Sequence, residues 1–462
     1  MSRHKVLVIH ALRPTSRQTT IDHLLAFREH LPNADVQYLH FAQPLPKGML
    51  DQVEPDLLIV NYDYLNYRFT PLWPYVKNRH RNLARQSRKV VAIAQDDFWA
   101  HRLLDNWCMS WKVDRVLTPI DNHLHVLYPR TIRRAEIQTV LTGYAPTSVE
   151  PSDPLAARPI DLGQRVRAMP AHLGAYAQEK AHQTIEFSRH VREVGFVVNV
   201  SARVEDGIVG ADWPKFLRQC KFTVGMKGGA SIADPYGLLY ARVEARGQRR
   251  THNHDTADSI PFLRRRDGRH RFSAISPRLF EAAAAGMCQV LRPDDYLGVL
   301  EPWVHYLPLN HDFSNVQEVV LAMRDLERCQ EVANNSHKQL IDSGKFSYRR
   351  LVDDAVNGLL ADSPSAAAMT WSDMVIYLSR AAQLCKPETI HLHDAAMHLI
   401  YETLSGQHRV SQCAKTQVVN SISQLGLSDW LREQGDSSRS DSLSWRSPWI
   451  WRTLRTESER NN

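Results

Sequence analysis

Short, continuous apolar runs alternate with helix-length amphipathic stretches through the first two thirds of the chain. Val6-Leu7-Val8-Ile9, Leu57-Leu58-Ile59-Val60 and Val90-Val91-Ala92-Ile93-Ala94 have strand length and no polar interruption. That is the pattern of strands buried on both faces of a parallel sheet. Residues 36–39, 115–118 and 137–141 complete a set of six expected strands. The intervals between them carry helical spacing, as in Ile21, Leu24, Leu25 and Arg28. Strands alternating with helices predict a first α/β domain over 1–146.

Pro146, Pro151, Pro154 and Pro159 mark 147–161 as a linker. A second α/β domain is expected over 162–365, with strands at 165–169, 195–200, 222–225 and 288–291 and helices at 178–190, 212–219 and 276–285. Residues 242–272 are strongly polar with little apolar spacing and read as an irregular or mobile insertion. From 366 to 462 the pattern is helical, clearest at 371–384 and 390–404. The fold class is therefore two doubly wound, Rossmann-like domains facing a central cleft, with a mostly helical C-terminal extension. Open sheets of this kind bind ligands at the carboxyl ends of their strands.

A chain of 462 residues with 43% hydrophobic and 23% charged residues suits roughly three domain lengths of globular protein. The net charge of +7 suits an anionic partner. The densest basic run, Arg264-Arg265-Arg266 with Arg269 and Arg271, is too short for a nucleic-acid arm, and no nucleic-acid partner is expected. Six scattered cysteines read as reduced thiols in the cytoplasm. No apolar run is long enough for a signal core or a membrane span.

The chemistry concentrates in Ser276-Pro277-Arg278-Leu279-Phe280-Glu281-Ala282-Ala283-Ala284-Ala285-Gly286. Ser276 caps a helix opened by Pro277, and free amides there suit a phosphate, with Arg278 as a charged donor. Glu281 falls in the first turn among apolar neighbours, where two ribose hydroxyls would satisfy it or where it merely favours the helix dipole. Upstream, Lys227-Gly228-Gly229-Ala230-Ser231 follows a strand and offers an amide-lined turn, with Asp234 just beyond. Asp96-Asp97 directly follow the strand ending at Ala94, and His10 follows the first strand. The two aspartates are candidate bases or helix caps, and His10 is a candidate base or a donor to a leaving phosphate. Arg165, Arg167 and Lys180 are further candidate phosphate contacts.

The Ser276–Gly286 segment resembles the sugar-nucleotide segment of GT-B glycosyltransferases, within the branch of CgeB-like, capsule and O-antigen enzymes. The stretch 213–237 is similar to the same branch. The resemblance implies Glu281 on the nucleotide ribose, and Ser276 and Arg278 on the phosphate or sugar side. Lys227, Gly229, Ser231 and Asp234 would lie around the donor, with Arg167 and Lys180 on the diphosphate. It also implies a first-domain base, Asp97 before Asp96, with His10 as a second candidate. Ser273 stands where retaining relatives carry a second Glu, so the stereochemical course stays open. No cofactor beyond the nucleotide-diphosphate sugar and no metal is expected. Asp96-Asp97 and Asp294-Asp295 lack the Asp-x-Asp spacing, and His252-x-His254 and His391-x-His393 read as surface groups.

The function so implied is transfer of a sugar from a nucleotide-diphosphate donor to a hydroxyl of a glycan or lipid-linked glycan, in surface polysaccharide synthesis. The alternative is a catalytically inactive nucleotide-sugar-binding or scaffold protein of the same assembly. Trp445, Trp449 and Trp451 with Arg446, Arg452 and Arg455 leave two readings of the tail. One is peripheral contact with anionic lipid on the inner face of the plasma membrane; the other is packing against the first domain.

Overall fold

The computed structural model describes residues 3–360, apart from the segments 13–15, 42–52, 71, 146–148, 150–151, 204, 209–211 and 248–255. The helices expected at 371–384 and 390–404, the tryptophan-rich tail and both His-x-His groups lie outside the described residues.

Six parallel strands form the first sheet: β1 (His4–His10), β2 (Ala34–His40), β3 (Leu57–Val60), β4 (Lys89–Ile93), β5 (Arg115–Thr118) and β6 (Glu136–Thr139). Their order is β2-β1-β3-β4-β5-β6. Val6 to Ile9 and Leu57 to Val60 are fully buried, as uninterrupted apolar runs require. The second sheet joins β7 (Ile160–Arg165), β8 (Val198–Ser201), β9 (Cys220–Gly225), β12 (Cys288–Leu291) and β13 (Leu307–Pro308) in the parallel order β13-β12-β9-β7-β8. An antiparallel ribbon, β10 (Gly228–Ala230) with β11 (Phe272–Ala274), stands beside it. The order reverses between β1 and β3, and again between β7 and β9. These are the two places where doubly wound sheets open a ligand crevice. The helices used below are α1 (Gln18–His30), α2 (Ala175–Glu193), α3 (Asp212–Arg218), α4 (Leu238–Gly247), α5 (Pro277–Ala284) and α6 (Tyr348–Val356). Two doubly wound sheets thus lie on one chain.

Two elements differ from the sequence reading. Strand β7 begins at Ile160, inside the expected linker, and ends where the expected strand would start. Gly163 lets it run tight against β9, since a Cβ there would lie 2.1 Å from the Cys220 sulfur. Asp161 looked like loop chemistry, but its carboxylate instead accepts from the Val197 amide at 2.7 Å and pairs with Lys221 at 2.7 Å. The polar stretch 242–272 is docked through a few of its residues. Ile260 and Leu263 are buried with Ala171 and Ile232, and Asp267 accepts from the Ala175 amide at the head of α2 at 2.9 Å.

The halves share a core. Ala230 and Phe272 of the ribbon, with Leu173 and Ala177, are buried in the same cluster as Phe98, Leu104 and Trp107 of the first domain. At the far end α6 returns to the first sheet, burying Leu351, Val352 and Ala355 against Val6, Val8 and Phe27. Arg115, almost fully buried on β5, ties it there. Its guanidinium donates to the carbonyls of Asp354 and Asn357, each at 2.8 Å, and pairs with Glu136 at 2.7 Å. We expect Arg115→Ala to cost about 3 kcal/mol, because the last turn of α6 loses charge-assisted donors for buried carbonyls. Denaturant unfolding measures this, and Arg115→Lys should recover only part of the loss.

Candidate active site

Helix α5 opens at the rim of the second sheet. Ser276 caps it, its hydroxyl accepting from the Arg278 amide, and Pro277 takes the first helical position. Leu279, Phe280, Ala282 and Ala283 are buried and fix the helix against the domain, leaving the polar face of its first two turns free. Lys180 reaches over from α2 and donates to the Ser276 hydroxyl at 3.2 Å. Glu281, in the second turn rather than the first, uses one carboxylate oxygen twice. Its Oε2 accepts from the Trp213 indole nitrogen at 2.8 Å and from Arg278 at 3.1 Å. The Arg278 guanidinium lies 3.7 Å above the Trp213 ring, so one tryptophan positions both charged groups. Among the described residues, Glu281 Oε1 makes no hydrogen bond.

The charges do not balance. Burial pushes the Lys180 ammonium down to about 8, and the neighbouring Arg278 pushes it the same way, while Glu281 opposes both. Burial lowers Arg278 as well, against the pull of Glu281. Arg17, just ahead of α1 in the first domain, acts on both as a like charge. Two cations from two helices thus flank one carboxylate at a helix start, with Arg17 acting on both from the first domain, an arrangement that favours a multivalent anion. Ser276, Arg278, Glu281 and Lys180, all expected from the sequence, are brought together here. Trp213 and Arg17 were not expected. Trp213 lay in the quoted stretch, but an apolar residue in a short helix gives no signal of whom it will meet.

The loop after β9 does other work. Gly229, with φ of +147°, passes so close to β11 that a Cβ would lie 1.9 Å from the Phe272 carbonyl oxygen. Its glycine thus serves the crossing of two backbones rather than a phosphate. The Ser231 hydroxyl accepts from the Tyr176 amide at 3.1 Å. Asp234 accepts from the Leu239 and Tyr240 amides at the start of α4, at 3.0 and 3.1 Å, and its own amide donates to Phe98 of the first domain. Lys227, only 3% exposed, pairs with Asp295, with Asp294 at 3.4 Å and with Asp121 of the first domain at 3.6 Å. These four residues join elements and domains. Arg167 is exposed past β7 and makes no ion pair among the described residues. Arg165 is spent on the carbonyls of Asn199 and Asp206.

On the first-domain rim the two adjacent carboxylates separate. Asp97 turns inward, fully buried, and takes hydrogen bonds from Thr118 and from Tyr128 at 2.6 Å. Burial pushes its pKa up, against those two donors and the nearby Arg68. Asp96 is exposed at the end of the sheet, with φ of 53°. Arg68 holds this turn by donating to the carbonyls of Gln95 and Asp96 at 2.8 and 3.0 Å. His10 ends β1 beside His40, and burial followed by that neighbour lowers it to about 3. Its Nδ1 accepts from the Leu12 amide at 3.2 Å, so the neutral ring carries its proton on Nε2 and can only donate from there. Among the described residues no group of three or more His, Cys, Asp or Glu side chains is arranged to hold a metal ion.

No protein-family model matches the chain, and no curated protein matches it in sequence. Solved structures resemble it remotely. An α-glucosyltransferase in complex with UDP and DNA is 11% identical, with a TM-score of 0.44, over 77% of this chain and 100% of that one. Anabaena HepE in complex with UDP-glucose is 11% identical, with a TM-score of 0.42, over 77% and 99%. TarM is 9% identical, with a TM-score of 0.41, over 66% of this chain, and the match spans only 55% of TarM.

Two outcomes are expected. Replacing Asp97 with Ala should cost about 2–4 kcal/mol in denaturant unfolding, since Thr118, Tyr128 and Arg68 lose a buried acceptor and counter-charge. A bound diphosphate should raise the Lys180 pKa from about 8, so binding takes up a proton above that pH. Affinity for a nucleoside diphosphate should then fall by up to about tenfold per pH unit as pH rises past 8. Calorimetry from pH 7 to 9.5 tests this, and Lys180→Met should flatten the slope.

Proposed function

We propose that the protein is a glycosyltransferase moving a sugar from a nucleotide-diphosphate donor to a hydroxyl of a glycan or glycolipid, in surface polysaccharide synthesis. The observation that carries the reading is the start of α5. There a cap hydroxyl, helix amides, Lys180 and Arg278 meet beside a carboxylate with one oxygen left over. The diphosphate would lie on the amides and the two cations, and Glu281 Oε1 would accept from a ribose hydroxyl. As the bond from the anomeric carbon to the leaving phosphate breaks, negative charge grows on the diphosphate. The cluster would stabilise that charge. Arg17 would add a cation from the first domain, so the donor would be gripped by both domains.

The acceptor hydroxyl must lose a proton as it attacks. If transfer inverts the anomeric carbon, a first-domain group takes that proton, and of the three candidates we assign the base to Asp96. Asp97 is committed to Thr118 and Tyr128, and His10 offers a hydrogen rather than a lone pair. A catalytically inactive binding protein would share the donor site and lack turnover, so the same experiments separate the two readings.

Glu281→Ala should weaken nucleotide-sugar affinity by about 2–4 kcal/mol, read by calorimetry on the variant shown to be folded by its cooperative melting. A panel of UDP-, GDP-, ADP- and dTDP-sugars tested by thermal stabilisation finds the donor for that assay. Stabilisation by none of them would refute the reading. Asp96→Asn should keep donor affinity and lower nucleotide release about a hundredfold or more. Wild-type release by that variant would remove Asp96 from the chemistry.

A further inference from the structure

The basic run that the donor site does not use lies on the surface of the second domain. Arg264 ends a short helix, Pro261–Arg264, and Arg265, Arg266 and Arg269 follow it; all four are exposed. None makes an ion pair among the described residues. The carboxylate within the run, Asp267, is turned inward onto the head of α2 and its own turn. Arg266 is held in place through a neutral group, donating to the Phe262 carbonyl at 2.7 Å. The guanidinium of Arg242, from α4, lies 4.1 Å over the Phe262 ring. The run and the outer face of α4 are therefore one surface, with five guanidinium groups and no carboxylate partner among the described residues.

Apolar side chains stand in water on the same surface. Leu239 and Val243 of α4 pack inward with Ile260 and Leu263, while Leu238, one helical turn before Arg242, is 57% exposed and Tyr236 is 54% exposed. Arginines alone would serve any soluble polyanion. Exposed leucine and tyrosine among them are what a surface adds when it must also enter the headgroup layer. The segment is anchored at the domain seam. Asn122 of the first domain donates to the Arg271 carbonyl at 2.9 Å, and Arg271 pairs with Asp294 at 2.6 Å.

We propose that this face, formed by Leu238, Arg242 and the arginines of 264–269, seats the protein on an anionic phospholipid surface. The charge of the face selects anionic headgroups, and its apolar members enter between them. Anchorage at the seam would bring a lipid-linked hydroxyl to the mouth between the domains. The inference does not depend on the donor site, because lipid contact can be read without any nucleotide.

The test is co-sedimentation of the full chain with vesicles of phosphatidylcholine alone and of phosphatidylcholine with phosphatidylglycerol. The face predicts binding to the anionic vesicles only, weakened by salt. The variant R264E/R265E/R266E should lose at least about tenfold in partition, and Leu238→Glu should also bind measurably less, both with wild-type melting temperatures. Arg271 and Asp267 stay untouched, because they hold the segment in place. No binding by the full chain overturns the proposal. So does wild-type partition by the triple variant with loss only on deletion of residues 443–462, which would assign the contact to the tail. A Leu238→Glu variant that binds as wild type, with heparin displacing the vesicles at equal charge, would mark the face as a general polyanion surface and also overturn it.

Discussion

At the start of α5, Lys180 and Arg278 face a single carboxylate, and most of the site's properties follow from that imbalance. Arg278 and Lys180 are both disfavoured as charged groups, first by burial; Arg278 then adds to this for Lys180, and Arg17 acts against both. A folded chain tolerates such crowding only when the geometry is held from outside. Here Trp213 supplies the hold, hydrogen-bonded to Glu281 and stacked under Arg278. Lys180 adds a release, since it can shed its proton near pH 8 when no anion is present. On the proposed reading, a diphosphate at the helix start would add the counter-charge that Glu281 alone does not supply.

The second constraint is the seam between the domains. Asp234 pairs its backbone with Phe98 and Ala100, and Lys227 gathers Asp121 with Asp294 and Asp295. Ala230 and Phe272 complete the first domain's core. These contacts fix the loop after β9 as a joint. Arg68 fixes the opposite rim by ordering the turn at Gln95 and Asp96, with Asp97 as its buried counter-charge. Asp96 and the cluster on α5 thus stand on two rims that these contacts hold in place.

Legibility in the sequence tracked how local the determining interaction is. The strands of uninterrupted apolar residues were plain, because burial on both faces writes itself into each residue of the strand. Ser276, Pro277 and Arg278 were plain too, since a helix start is decided within a few positions. Strand β7 was hidden because Gly163 and Asp161 carry turn chemistry, and only contact with Cys220 and Val197 turns them to strand use. The ribbon of β10 and β11 was hidden for the same reason, its two halves meeting across the long stretch between Ala230 and Phe272. Of two adjacent aspartates, the sequence could place both after a strand but could not say which would turn toward Thr118 and Tyr128. Trp213 joins Glu281 across 68 positions, which no local pattern records.

The central claim, that the start of α5 is a diphosphate site, is tested most directly by a crystal structure of the protein with the nucleoside diphosphate that stabilises it most. The account predicts phosphate oxygens within hydrogen-bonding distance of Lys180 and Arg278, and the ribose against Glu281 Oε1. Phosphates seated at Lys227, or a ribose bound away from Glu281, would contradict it.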